Sequence, residues 1–125
     1  MAKLKWDYGI KLIRENKKGI KMAYARINMI EYASVEEKER TIGSLKGRHQ
    51  EAFPELRAFA GVETSATSVL TISIYDDEEA AERAGIQSQK FQVDKDISDL
   101  FVHEGTVKNF FIDDAHLESL KKLGL

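Results

Sequence analysis

The chain has 125 residues, 42% hydrophobic and 32% charged, with a formal net charge of -2, which fits one domain able to bury roughly two thirds of its unfolded surface. A second domain has no room, the slightly negative balance argues against a general nucleic-acid binder, and a cysteine count of zero excludes a disulfide framework or a thiolate metal site. With neither a long apolar run nor a signal-peptide h-region, the expected compartment is the cytoplasm and no membrane partner is expected.

The charge is unevenly placed. Residues 1–21 carry seven Lys or Arg against two acids, and residues 22–125 carry twelve against nineteen. Trp6, Ile10 and Ile13 could share a helical face and Tyr8, Ile10 and Leu12 a strand face, and neither pattern is long enough to decide. Residues 1–21 are therefore expected to be an extension outside the working domain of residues 22–125. Met22 could itself be a start, and Lys18, Gly19, Ile20 and Lys21 can be encoded by a purine-rich run like a ribosome-binding site, so the extension is read as absent from the native product. The alternative is a genuine arm that packs Trp6, Ile10 and Ile13 on its own domain or a partner subunit.

From Met22 the periodicity is clear. Tyr24, Arg26, Asn28 and Ile30 alternate with Ala23, Ala25, Ile27 and Met29, which is a strand with one small apolar face and one face carrying a ring, a guanidinium and an amide. Ser34 with Glu37 three positions on reads as a capping box, and a helix follows with the stripe Ile42, Leu45, His49 or Ala52, and Phe53. Pro54 ends it near Ala52. Leu56, Ala58, Ala60, Val62 and Thr64 then alternate with Arg57, Phe59, Gly61 and Glu63, and a turn at Ser65 to Thr67 makes a hairpin with the next strand. That strand sets Leu70, Ile72 and Ile74 against Val69, Thr71, Ser73 and Tyr75, and at Asp76 and Asp77 its period of two gives way to helical spacing. The second helix runs from about Asp77 towards Gly85, with Gln87 to Gln92 open between helix and loop. Asp96 to Phe101 reads as a further helical turn. Thr106 to Ile112 reads as the fourth strand, and Asp113 or Asp114 as the cap of a terminal helix bearing Leu117, Leu120 and Leu123.

Strand, helix, strand, strand, helix, strand is the ferredoxin-like βαββαβ arrangement, an α+β fold whose four-stranded antiparallel sheet has its helices on one face. The other face must be wetted, bound or covered. With Ala23, Ala25, Ile27, Met29, Leu70, Ile72 and Ile74 placed under the helices, the open face would present Tyr24, Ile30, Val69 and Tyr75 among Arg26, Asn28, Thr71 and Ser73. That mixture suits a homodimer whose two sheets enclose a part-polar cavity.

On RINMIEY, the helix with KGRHQEAF, and ETSATSVLTISIYDDEEAAERA, residues 22 to 112 resemble the antibiotic biosynthesis monooxygenase-like members of the dimeric α+β barrel superfamily. The resemblance implies a homodimer with a cavity between sheet and helices, oxygenating substrate without metal or flavin in some members and degrading haem in others. It puts Asn28 at the first-strand Asn that positions substrate and Tyr75 at the aromatic, often Trp, that ends the third strand. Glu78 to Gln89 contains no histidine, so haem ligation of the kind used by the degrading branch is not expected.

No other constellation competes. His49, His103 and His116 share no metal-ligand spacing, the acids from Asp76 to Glu79 are explained by a helix N-terminus, and neither a phosphate-binding glycine loop nor a nucleophile elbow occurs. Arg26 with Asn28 offers one charge plus a donor and an acceptor to an anionic or carbonyl-bearing ligand; the competing reading pairs both with acids across a dimer seam. The candidate ligand-binding residues are Tyr24, Arg26, Asn28, His49 and Tyr75, with Asn28 the candidate catalytic residue and no cofactor or metal expected. The expected function is a small dimeric monooxygenase-like protein acting on or binding a small aromatic or carbonyl-bearing molecule, the alternative a non-catalytic ligand-binding or stress-related α+β barrel protein. A cavity beside Asn28 and Tyr75 that is open, and not filled by Phe110 and Phe111, would favour the first.

Overall fold

The computed structural model describes residues 22–91 and 97–123. The expected extension, residues 1–21, lies outside the described residues. The chain runs β1 (Tyr24–Tyr32), α1 (Val35–Leu45), α2 (His49–Ala52), β2 (Leu56–Glu63), β3 (Ser68–Tyr75), α3 (Glu78–Phe91) and β4 (Ile97–Thr106), followed by a 3-10 turn (Asp114–His116) and α4 (Leu117–Lys121). The four strands form one antiparallel sheet in the order β2-β3-β1-β4, which is the ferredoxin-like α+β fold expected from the element order. The sheet is open, with β2 and β4 at its edges.

Local chemistry sets most boundaries. Ser34 Oγ accepts the Glu37 N–H at 3.1 Å and caps α1, while the Glu37 carboxylate is held by Arg40 at 3.0 Å. Asp77 caps α3 through the Ala80 N–H at 2.8 Å. The single helix expected up to Ala52 is instead two, because Gly47 takes φ 76°, a left-handed conformation that ends an α-helix. The helical turn expected at Asp96 to Phe101 is corrected to strand: residues 97–106 pair with β1 from Tyr24↔Thr106 to Tyr32↔Ile97. The strand expected over residues 106–112 ends where it was to begin, although the Val107 N–H still donates to Ala23 O at 2.8 Å. Non-local pairing decided this segment against its local pattern.

The two faces of the sheet are the reverse of the sequence expectation. Val69, Thr71, Ser73 and Tyr75 are the buried positions of β3, and they lie under the helices together with Arg26, Asn28 and Ile30 of β1. The helix-side core is small: Leu56, Tyr75, Ala80, Ala81 and Ala84, with Tyr24 and Phe53 packed against it. Alanines let α3 approach one end of the sheet closely, whereas α1 sits off it, so Ile42 stays 40% exposed and, with Leu45, borders open space. The opposite face carries Ala25, Ile27, Met29, Leu70, Ile72 and Ile74, joined through the strand registers by Phe101, Ala60 and Val62. Met29, Val62 and Phe101 are 47%, 49% and 62% exposed. A dimer face bearing Tyr24, Ile30, Val69 and Tyr75 is therefore ruled out, because the chain's own helices stand on that side. Alternation identifies two faces but does not say which one the helices cover.

Candidate functional site

Between the sheet and α1, α2 and α3 lies a cleft of about 700 Å³, within the size range of small-molecule sites. Its floor is the polar face of the inner strands. Register sets Arg26 opposite Ser73 and Asn28 opposite Thr71, so four polar side chains project side by side, as alternate residues of paired strands must. The Asn28 amide donates from Nδ2 to Thr71 Oγ1 at 3.2 Å. That bond engages one of the two Nδ2 hydrogens and leaves the second to donate to a ligand oxygen, with the amide carbonyl an acceptor beside it.

Tyr75 closes one end of the floor and is 5% exposed. Burial pushes its phenol above the ordinary value, and the Ser73 hydroxyl and the Arg26 guanidinium pull it partly back, so these three polar groups are neighbours. Tyr32, also buried and also on the wall, is raised by burial alone. The helix side contributes apolar Ile42, Leu45, Phe53 and Ile86, and Phe59 of β2, paired with Ser73, adds a ring at the sheet. His49 of α2 also lines the cleft, its ring tilted 37° against that of Phe59 with centroids 4.5 Å apart. Over one margin, Lys38 of α1 is 1% exposed and donates to Glu63 of β2, with Glu39 at 3.2 Å; Glu39 and Glu63 both border the cleft.

Arg26, Asn28, His49 and Tyr75 of the expected set thus meet at one cleft. Tyr24 does not line it: half-buried against the core, its hydroxyl donates to Glu104 at 3.2 Å, and desolvation followed by the Glu104 charge raises its phenol. Thr71 and Ser73, whose alternation was legible, enter as partners of Asn28 and Arg26 only through the register. Phe110 and Phe111 are 58% and 85% exposed and do not fill the cleft. His103 pairs with Ile27 on the opposite face, and His116 Nδ1 lies 2.6 Å from Asp113. Among the described residues, no group of three or more His, Cys, Asp or Glu is placed to hold a metal ion, and no helix is long and apolar enough to cross a membrane.

No family model matches the chain, and no curated protein sequence matches it. Solved structures do. The cofactor-independent oxygenase SnoaB of Streptomyces nogalater superposes with a TM-score of 0.55 at 13% identity, covering 74% of this chain and 99% of SnoaB. The fold is that of the antibiotic biosynthesis monooxygenase-like proteins. The ActVA-Orf6 monooxygenase of Streptomyces coelicolor, solved with nanaomycin D, gives 0.57 at 10% identity over 74% of this chain and 94% of its own. A dimeric ferredoxin-like protein from an uncultured marine organism gives 0.55 at 16% identity over 74% and 94%. At these identities the likeness is one of fold, and function has to be argued from the cleft.

Proposed function

We propose that this is a homodimeric, monooxygenase-like protein that holds a small aromatic or carbonyl-bearing molecule in the cleft between sheet and helices. The observation that carries the reading is the mixed lining: Arg26, Asn28, Thr71 and Ser73 on the sheet with the Phe59 ring beside them, and apolar Ile42, Leu45, Phe53 and Ile86 from the helix side. A flat ring fits against the apolar side chains, and its oxygen substituents meet hydrogen-bonding groups on the floor.

In this reading the protein needs little machinery of its own. Removing a proton from a CH₂ activated by a carbonyl or ring gives an enolate, whose oxygen Asn28 and Arg26 stabilise. Dioxygen adds at that carbon and water departs, so that CH₂ and O₂ become C=O and H₂O without an outside reductant. His49 is the imidazole on the cleft wall to take the proton. The test is to titrate a panel of aromatic ketones and hydroquinones while following oxygen uptake and product mass. One O₂ consumed per molecule gaining a carbonyl supports the enzyme. Binding without uptake replaces it by the non-catalytic ligand-binding alternative, and an absence of binding across the panel sinks both.

The homodimer forms in this proposal through the apolar face of Ile27, Met29, Ile72 and Phe101. Left in water, such a patch is a liability, and a second copy related by a two-fold axis covers it with the same residues. One of the solved structures of this fold is itself dimeric.

A further inference from the structure

The geometry points to an anion subsite inside the cleft, made by Arg26 of β1 at the side-chain-free position Gly85 of α3, which takes the planar carboxylate of an aromatic ligand. This rests on the reading of the cleft as an aromatic-ligand site and adds which ligands it selects.

Among the described residues Arg26 has no ion-pair partner, although Glu104 stands opposite it in the register. No carboxylate oxygen of those residues lies within 4.0 Å of its guanidinium, and its Nε is buried with no hydrogen-bond partner. Native proteins rarely leave such a donor unpaired, and Arg26 lines the cleft, where an entering anion meets its guanidinium. The acids sharing the lining do not supply the acceptor: Glu39 and Glu63 meet at Lys38 Nζ, and Glu82 stands on the exposed side of α3.

Gly85 explains how the guanidinium is accommodated. A Cβ built there would stand 3.1 Å from Arg26 Nη1, so any side chain at this position would make the end of Arg26 give way by a few tenths of an ångström. Mid-helix glycine is unfavourable for the helix itself, and the room it makes for Arg26 is the compensating gain. A guanidinium presents parallel N–H groups that match both oxygens of a carboxylate, which a neutral amide cannot reproduce. The rings of Phe53 and Phe59, which line the same cleft, take the aromatic body.

Naphthoate and naphthamide share a shape and differ in charge, so titrating each into the full chain at neutral pH by calorimetry isolates the subsite. Naphthoate is expected to bind at least about tenfold more tightly, the effect of a charge-assisted bond over a neutral one. Arg26→Gln should abolish the preference, lowering naphthoate affinity far more than naphthamide affinity. Gly85→Ala should weaken naphthoate selectively, with helix content by circular dichroism unchanged or raised. Equal affinities in the wild type, or a preference that survives Arg26→Gln, overturns the subsite and leaves the aromatic cleft standing. Failure of both probes to bind overturns the cleft reading and the subsite with it. Should Arg26→Gln not fold, Arg26→Lys decides: it keeps the charge and loses the planar fork, and undiminished preference there also overturns the proposal.

Discussion

Asn28 takes its orientation from across the ladder, through Thr71, so its two roles separate. Asn28→Ala should lower folding stability by about 1 kcal/mol or less, the usual net value of one half-buried hydrogen bond, yet weaken a carbonyl ligand by roughly 1 to 3 kcal/mol, because the ligand's buried acceptor is left unmet. Thermal melts alongside calorimetry with a ligand from the panel check this, and unchanged affinity removes Asn28 from the site. Tyr75 makes the opposite kind of prediction. Burial raises its phenol, as it does that of Tyr32, so the folded state holds the proton more tightly than the unfolded chain does. The stability this contributes is complete below the ordinary tyrosine value near 10 and is lost as pH rises through the raised folded value. Tyr75→Phe should therefore flatten the alkaline limb of a stability profile taken in chemical denaturant. An alkaline limb identical to that of the wild type would show that Tyr75 does not contribute to it.

The elements bound the cleft through small departures from regularity. Gly47 lets the chain turn between α1 and α2, and a Cβ there would meet nothing within 4 Å, so Gly47→Ala brings backbone strain without a clash. It should cost about 1 kcal/mol, read as a fall in melting temperature of several degrees, and it should shift His49 and Phe53, so ligand affinity should drop with it. An unaltered melt would mean that the turn is not strained. A register shift between Leu56 and Ala58 does similar work in β2. It puts Leu56 in the helix-side core while Ala58 pairs with Ile74 on the opposite face, and it turns Arg57 outward to pair with Asp76 through two bonds of 3.1 and 2.9 Å. Regular alternation would have set Leu56 and Ala58 on one face, and no residue type in the segment marks the bulge. Arg83 of α3 reaches back to Glu55 with two bonds of 2.6 Å, which links α3 to the start of the same strand.

At the scale of the whole molecule, the open sheet face is the feature that one chain leaves unfinished. Wild-type protein should sediment as a dimer at micromolar concentration, and Ile72→Glu, which sets a charge in the middle of that face, should sediment as a monomer that keeps its secondary structure. A monomeric wild type would sink the interface. The proposal that residues 1–21 stand outside the working domain is checked by deletion to Met22. Melting temperature and sedimentation should stay nearly unchanged, and a large loss of either would assign residues 1–21 a structural role. The intact mass of protein from its natural host tells whether they are made at all.

The sequence by itself determined the strand, helix, strand, strand, helix, strand order, the cap at Ser34, the hairpin of β2 and β3, and the resemblance in fold, because period-two alternation, side-chain capping and turn chemistry all act between neighbours in the chain. It also singled out Arg26, Asn28, His49 and Tyr75, since unusual polar residues on a regular strand or stripe stand out without coordinates. Only the tertiary structure decided which sheet face the helices cover, that residues 97–106 form the fourth strand, and that Thr71 and Gly85 belong to the cleft. Each of these depends on partners tens of residues away. Alternation is symmetric between two faces, and an apolar face is equally content under a helix or against another sheet. The strands therefore carried the pattern, while the reach of α1 and α3 chose the side.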